Sequence, residues 1–243
     1  MLELRDVHTY YGASHVLQGV SLTVGEGEVL GILGRNGMGK TTLVHTIAGL
    51  LRPRRGTIEF RGRRIGGAPA ERIARAGMAL VPQGHRIFPS LTVKENLKVA
   101  VRRGTAPEPW TIDDVVDRFP VLGERFGLSA GLLSGGQQQM LALGRALVGN
   151  GSLVLLDEPT EGLDPQTVAR VGDVVDELRG RGTSAILVEQ KVDFALRRVD
   201  RALVLERGHV VHTTDKPQEL RTDTAALREL LAVGGAPSTA PSA

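Results

Sequence analysis

The 243-residue chain has no cysteine, so it can build neither a disulfide framework nor a thiolate metal centre, and its fold must rest on packing. Aromatic residues supply only 3% of the sequence against 41% for hydrophobic residues as a whole, which implies an aliphatic α/β core. No apolar run reaches the roughly 18 residues that cross a bilayer. The first residues, Met1-Leu2-Glu3-Leu4-Arg5-Asp6, lack the apolar stretch of a secretory signal, so the expected location is cytoplasmic. A strong charge of either sign is also missing. Thirty Lys and Arg against 27 Asp and Glu leave a formal net charge of +3. No dense basic block or interleaved aromatics accompany it, so nucleic acid is not an expected partner.

Glycine is abundant, and it is concentrated where chemistry needs it. Residues 34–42, Gly-Arg-Asn-Gly-Met-Gly-Lys-Thr-Thr, fit the phosphate-binding P-loop pattern with Gly34, Gly39, Lys40 and Thr41 in register. The apolar run 29–33 before them reads as a buried strand, and Leu43, Ile47, Leu50 and Leu51 after them recur at helical spacing. Strand, loop and helix are the context the motif requires; a glycine-rich connector would need none of it. Gly34, Gly37 and Gly39 let the backbone turn and bring successive N–H groups to phosphate oxygens. Lys40 adds a full charge and Thr41 a hydroxyl for a magnesium ion. The expected nucleotide-binding set is Gly34, Asn36, Gly37, Gly39, Lys40, Thr41 and Thr42.

Along the chain, 2–7 and 16–24 read as strands flanking a turn-rich segment with Tyr10, Tyr11 and Gly12. Helix is expected over 42–51 and 70–76, and short strands over 57–60 and 78–81, the latter ending at Pro82-Gln83 on a sheet's carboxyl edge, where ligands bind. From about 84 to 149 the pattern changes to helices broken by Gly and Pro, with 92–101, 111–119 and 137–148 the clearest, which reads as a helical lobe inserted in an α/β core. Parallel-sheet signals return at 153–156 and 185–188, around an amphipathic helix at 167–179. A hairpin is expected over 202–205 and 210–212, and a disordered tail over 234–243.

Four aliphatic residues lead into Asp157 and Glu158, so a strand would deliver both carboxylates to the sheet edge. Alone, Asp157 would be an ordinary acidic strand end; beside a P-loop it is a magnesium ligand. Glu158 is placed to accept a proton from an attacking water, the alternative being a turn charge before Pro159. In 133–139, Leu-Ser-Gly-Gly-Gln-Gln-Gln, Ser134 can cap a helix while Gly135 and Gly136 leave N–H groups uncovered at its positive end. Two glycines weaken a helix that needs only a cap, so an anion site is the better reading.

The order of 34–42, Gln83, 133–139, 153–158 and Leu163-Asp164 resembles the ATP-binding-cassette (ABC) ATPases over about residues 2–232. The resemblance implies an α/β P-loop NTPase of ABC-ATPase fold, with a mostly parallel core sheet, an antiparallel β subdomain and an inserted helical subdomain. It implies one domain over 1–233 and ATP with Mg2+ as ligands. In that family two cassettes meet head to tail, so that Ser134, Gly135, Gly136 and Gln137 would cover ATP held by the other chain's P-loop. Tyr11 would stack on adenine, although Tyr10 is adjacent and either ring could fill a core gap. Thr41, Gln83 and Asp157 would contact the metal, Glu158, Gln83 and Gln190 would serve hydrolysis, and Asp164 would communicate across the dimer.

Tyr10-Tyr11-Gly12, Val81-Pro82-Gln83-Gly84, Arg86-Ile87-Phe88-Pro89, Leu91-Thr92-Val93 and Leu187-Val188-Glu189-Gln190 are similar to the second ATPase subunit of branched-chain amino-acid importers and their urea and amide relatives. Gln190 stands where most cassettes have a histidine; it can hydrogen-bond a γ-phosphate but cannot carry an imidazolium's charge. The implied partners are a second ABC ATPase subunit, as sister chain or second copy, two transmembrane permeases, and indirectly a periplasmic solute-binding protein. The chain would then lie on the inner face of the plasma membrane. Ile87, Phe88 and Leu91 are expected to face a permease helix, the alternative being packing within the lobe. Two other classes are weighed. A soluble cassette acting on nucleic acid or ribosomes usually fuses two cassettes or inserts a coiled coil, and a P-loop kinase would lack 133–139.

Overall fold

The computed structural model describes residues 1–84 and 86–223. His85, the domain end at 233 and the tail at 234–243 lie outside them. The first strands, β1 (Leu2–Tyr11) and β2 (Ser14–Val24), pair antiparallel down to Tyr11 opposite Ser14. The turn is thus only Gly12 and Ala13, not the broader turn-rich segment expected between the strands at 2–7 and 16–24. The two tyrosines suit a strand, and Gly12 at φ 57° supplies the left-handed residue of a two-residue hairpin. After β3 (Val29–Leu33) comes α1 (Lys40–Ile47), which starts earlier and stops sooner than 42–51. The stop lies at Gly49, at φ 76°, where a β-carbon would meet the Ala68 carbonyl at 2.7 Å.

Then follow β4 (Arg55–Phe60), β5 (Arg63–Arg64), α2 (Ala70–Arg75) and β6 (Met78–Val81). The helices α3 (Val93–Lys98), α4 (Ile112–Arg118) and α5 (Pro120–Glu124) come next, before α6 (Gly135–Val148). Thr92 and Thr111 start α3 and α4 with capping boxes, each closed by an acid three residues on. The chain returns through β7 (Leu153–Asp157), α7 (Pro165–Gly180), β8 (Ser184–Glu189), α8 (Val192–Leu196), β9 (Arg201–Glu206), β10 (His209–Thr214) and α9 (Pro217–Thr222).

Two sheets form. A four-stranded antiparallel sheet has the order β2-β1-β4-β5, and a six-stranded one the order β10-β9-β3-β8-β7-β6. The second is parallel except at its edge, where the expected hairpin adds β10 antiparallel to β9. Its central strands are largely apolar because both faces are covered. Leu30, Ile32, Leu155 and Ile186 face α1 and the antiparallel sheet; Val29, Leu33, Leu156 and Leu187 face α6 and α7. All residues of β3, β7 and β8 are buried, and the carboxylates of β7 and β8, Asp157 and Glu189, both stand at the carboxyl edge of the sheet.

Asn150 holds the lobe to this frame. At φ 51°, it accepts the Trp110 N–H at 2.6 Å and donates to the carbonyls of Arg102, Trp110 and Val148, while its own carbonyl takes the N–H groups of Thr105 and Ala106.

Candidate active site

The P-loop leaves β3 through Gly34, at φ 149°, where a β-carbon would run into the Leu205 carbonyl. Gly37 and Gly39 are also left-handed, at φ 78° and 103°. Gly34, Arg35, Asn36 and Met38 line an open cavity of about 530 Å3, with Gln190 across it. Thr42 is buried, and its carbonyl accepts the Thr46 hydroxyl. Lys40 folds back over the loop: its ammonium donates to the carbonyls of Gly34 at 2.8 Å and Arg35 at 3.1 Å, and lies 3.1 Å from Glu158 Oε1. Both side chains are nearly inaccessible, at 3% and 5% exposure, so this is a desolvated ion pair.

Asp157 ends β7 beside it. Its Oδ1 accepts the Thr41 hydroxyl at 3.3 Å, and its Oδ2 is buried without a partner. Burial pushes the Asp157 carboxyl up to about 6. The Thr41 hydrogen bond opposes this, nearby Glu158 adds to it, and Lys40 pulls the other way. An orphaned carboxylate oxygen next to a hydroxyl is an oxygen-donor set that suits Mg2+, whose remaining ligands would be phosphate oxygens and water.

Glu158 has φ 49°, a left-handed conformation that costs a non-glycine residue on the order of 1–2 kcal/mol. Its Oε2 accepts from Gln190 Nε2 at 2.7 Å and from Gln83 Nε2 at 3.3 Å, and Gln83 also donates to Glu161 at 2.7 Å. The structure therefore brings together Gly34, Lys40, Thr41, Gln83, Asp157, Glu158 and Gln190, from four strand ends. Such an arrangement can bind a polyphosphate and hold an acid–base group over its terminal phosphorus.

Three side chains do work that the sequence did not reveal: Glu189, Lys191 and Gln139. Glu189, 2% exposed, accepts the Thr160 N–H on one oxygen and the N–H groups of Gln190 and Lys191 on the other. The Lys191 ammonium donates to the Thr160 carbonyl at 3.0 Å, and the Gln139 amide of α6 donates to the Pro159 carbonyl at 3.0 Å. A carboxylate at the end of an apolar run was the one available signal.

Ser134, Gly136 and Gln137 lie apart from the P-loop, in a cavity of about 470 Å3 that Asp164 and Thr167 also line. The two cavities share no lining residue. Ser134 and Gln137 form a capping box on α6, and Gly135 opens the helix. Gly136 has a packing role besides its open N–H: a β-carbon there would stand 3.1 Å from the Thr167 hydroxyl. Asp164 caps α7, taking the N–H groups of Gln166 and Thr167 and the Thr167 hydroxyl at 2.6 Å. The Thr167 hydroxyl above all holds its carboxyl below the usual range.

Tyr10 and Tyr11 are separated clearly. Tyr10 stacks on His15 at 4.1 Å with Arg54 over its ring, whereas Tyr11 is 48% exposed and fills no core gap. Of Ile87, Phe88 and Leu91, Phe88 is the exposed one, at 47%, with Arg145 over its ring. Ile87 and Leu91 are half-buried, Ile87 against the core, which corrects their expected exposure. Phe88 instead joins Leu50, Val99, Ala142 and Ala146 in an apolar cavity of about 500 Å3, with Arg86 and Arg102 also in its lining.

A family model described as ABC transporter matches residues 17–161. The high-affinity branched-chain amino acid transport ATP-binding protein BraG of Pseudomonas aeruginosa is 42% identical over 87% of this chain and 91% of its own. The lipopolysaccharide export system ATP-binding protein LptB of Haemophilus influenzae is 33% identical over 91% of this chain and 92% of its own. Among solved structures, a dimeric ATP-binding cassette in a post-hydrolysis state bound to ADP and Pi matches with a TM-score of 0.78 and 25% identity, over 89% of this chain and 99% of that one.

Proposed function

The chain belongs to the ABC transporter family as an ATP-binding, ATP-hydrolysing subunit, and from that premise we propose that it drives uptake of branched-chain amino acids. The solute rests on its likeness to BraG; urea and short amides are the alternatives within the same group. Cassettes of this family work as dimers with transmembrane permeases. Here the partner cassette is a sister chain or a second copy, and a periplasmic binding protein selects the solute. No described helix is long and apolar enough to cross a membrane, so the permeases hold this subunit at the cytoplasmic face. The apolar cavity around Leu50, Phe88 and Val99 is the seat for a permease's cytoplasmic helix.

The observation that carries the hydrolytic reading is the convergence of Lys40, Gln83 and Gln190 on the buried Glu158 carboxylate at the mouth of the P-loop. ATP phosphates replace Glu158 as the partner of Lys40, with Gly34, Asn36, Gly37, Gly39, Thr41 and Thr42 around them and Tyr11 on the adenine. Thr41, Asp157 and Gln83 would hold Mg2+, whose charge would neutralise that of the phosphates. Glu158, freed from Lys40, takes a proton from water as the water oxygen attacks the γ-phosphorus and the bond to the ADP oxygen breaks. Gln83 and Gln190 orient that water. Ser134, Gly135, Gly136 and Gln137 of the other cassette close over the phosphates, and Asp164 reports closure across the interface. The cassette is one domain over 1–233 with its helical subdomain at about 84–149.

Reconstitution with its permeases tests this. ATP hydrolysis should rise with binding protein loaded with leucine, isoleucine or valine, and Glu158→Gln should bind ATP without turnover. Stimulation by urea or amides alone would move the solute, and undiminished hydrolysis by Glu158→Gln would remove Glu158 from the base role.

A further inference from the structure

The turn after β7 is held from an unusual side. Glu158 stands in a left-handed conformation, at φ 49°, that an L-residue keeps only when its surroundings over-determine it. Its own N–H goes to the Val188 carbonyl at 3.0 Å, so the turn begins by leaning on β8. The peptide units on either side of Thr160 are gripped by Glu189, the last residue of β8, and by Lys191 just beyond it. Glu189 Oε1 accepts the Thr160 N–H at 3.1 Å, and the Lys191 ammonium donates to the Thr160 carbonyl at 3.0 Å. The second oxygen of Glu189 binds the N–H groups of Gln190 at 3.1 Å and Lys191 at 3.4 Å. One buried carboxylate thus joins the loop carrying Glu158 to the loop carrying Gln190, and the two side chains meet at 2.7 Å.

We propose that Glu189 is a positioning residue of the hydrolysis reaction: its carboxylate fastens residues 158–160 to the end of β8, keeping the Glu158 carboxylate and the Gln190 amide in register over the attacking water. The inference rests on the reading of Glu158 as base. Burial pushes the Glu189 carboxyl up, and its hydrogen bonds with Thr160, Lys191 and Gln190 work against that burial. A buried carboxylate is a costly way merely to fill space; three N–H donors from two loops give it a directional task. Glutamine cannot replace it, because one terminal atom would become an N–H donor facing the donors of Thr160 or of Gln190 and Lys191. Aspartate is one methylene short of spanning both loops.

Steady-state ATP hydrolysis by the assembled transporter tests this in wild type, Glu189→Gln, Gln190→Ala and the double variant, with Glu158→Gln alongside. Misplacing a reacting group by about an ångström costs on the order of a hundredfold, so Glu189→Gln should lower kcat by about tenfold to a hundredfold. KM for ATP should stay within about twofold, since the hydrogen bonds of the Glu189 carboxylate go to Thr160, Gln190 and Lys191 rather than to the P-loop. Because Glu189 and Gln190 act through one alignment, the double variant should be about as slow as the slower single variant. Wild-type kcat in Glu189→Gln, a rise in KM with kcat kept, or losses that multiply in the double variant would each overturn the inference. If Glu189→Gln does not fold, Glu189→Asp carries the same kcat and KM test. The two failures are distinct: active Glu158→Gln removes the base and the inference with it, whereas inactive Glu158→Gln beside an undiminished Glu189→Gln removes the inference alone.

Discussion

Glu158→Gln should destabilise the nucleotide-free protein while tightening its grip on ATP. In the structure Lys40 Nζ lies 3.1 Å from Glu158 Oε1, with both side chains out of solvent. At an effective dielectric of 20 such a pair attracts by about 5 kcal/mol before desolvation is counted. Deleting one partner of a buried pair costs about 3–5 kcal/mol when the survivor is left bare. Lys40 is not left bare, since the Gly34 and Arg35 carbonyls at 2.8 and 3.1 Å remain. We therefore expect a loss of about 2 kcal/mol, which for a chain of this size lowers Tm by about 4–8 °C. ATP supplies a replacement anion for Lys40 and no longer has to displace a carboxylate. The same 2 kcal/mol should reappear as roughly thirtyfold tighter binding. The assay is thermal unfolding of both proteins without nucleotide and with saturating ATP in chelator, together with titration of a fluorescent ATP analogue. Equal apo Tm values and equal Kd values would refute the ion pair as an energetic element of the resting site.

Two further outcomes follow from the same site. The folded pKa of Asp157 lies at about 6, above its ordinary 3.8, so the folded state binds the proton more tightly and loses stability as pH rises between these values. Without nucleotide or metal, wild type should gain about 1.4 kcal/mol over Asp157→Asn between about pH 7.5 and pH 5, because asparagine cannot titrate. Parallel stability profiles in urea unfolding would contradict the assignment. Gln190 donates to Glu158 without titrating, so Gln190→His should add a step to the kcat–pH profile near or above about pH 6.5, which a stopped-time phosphate assay would detect. Profiles of the same shape would mean that residue 190 does not serve the reaction.

Much of this site could be read before any coordinates, and the reason is physical. The strands at 29–33, 153–157 and 184–189 are buried on both faces, so they appear as mostly apolar runs, the last two ending in a carboxylate. The P-loop is similarly transparent, because left-handed glycines leave few alternatives. What stayed hidden is of two kinds. Pro120–Glu124, Val192–Leu196 and Pro217–Thr222 are helices too short for periodicity to emerge. The others are single side chains whose work is done on distant backbone, such as Asn150 on 102–110, Gln139 on Pro159, and Glu189 on Thr160. A buried polar residue names its need for a partner and says nothing about which one. The apolar cavity at Phe88 belongs to this second kind, since Leu50, Phe88, Val99 and Ala146 meet only in space.

The parallel ladder also determines how this protein can change. Leu33 stands opposite Glu189, and Asp157 opposite Val188, so the reacting groups are ordered by residue count along three strands rather than by loop shape. Lengthening the path between β6 and β7, through which the whole helical lobe passes, leaves that count untouched and costs loop entropy that grows only logarithmically. Inserting one residue within 153–157 turns every later side chain of the strand to the opposite face, putting a carboxylate where the core expects leucine. The helical lobe is therefore free to drift in length and sequence, while a handful of strand positions admit no insertion at all. A cassette built this way can acquire new partners without disturbing its chemistry.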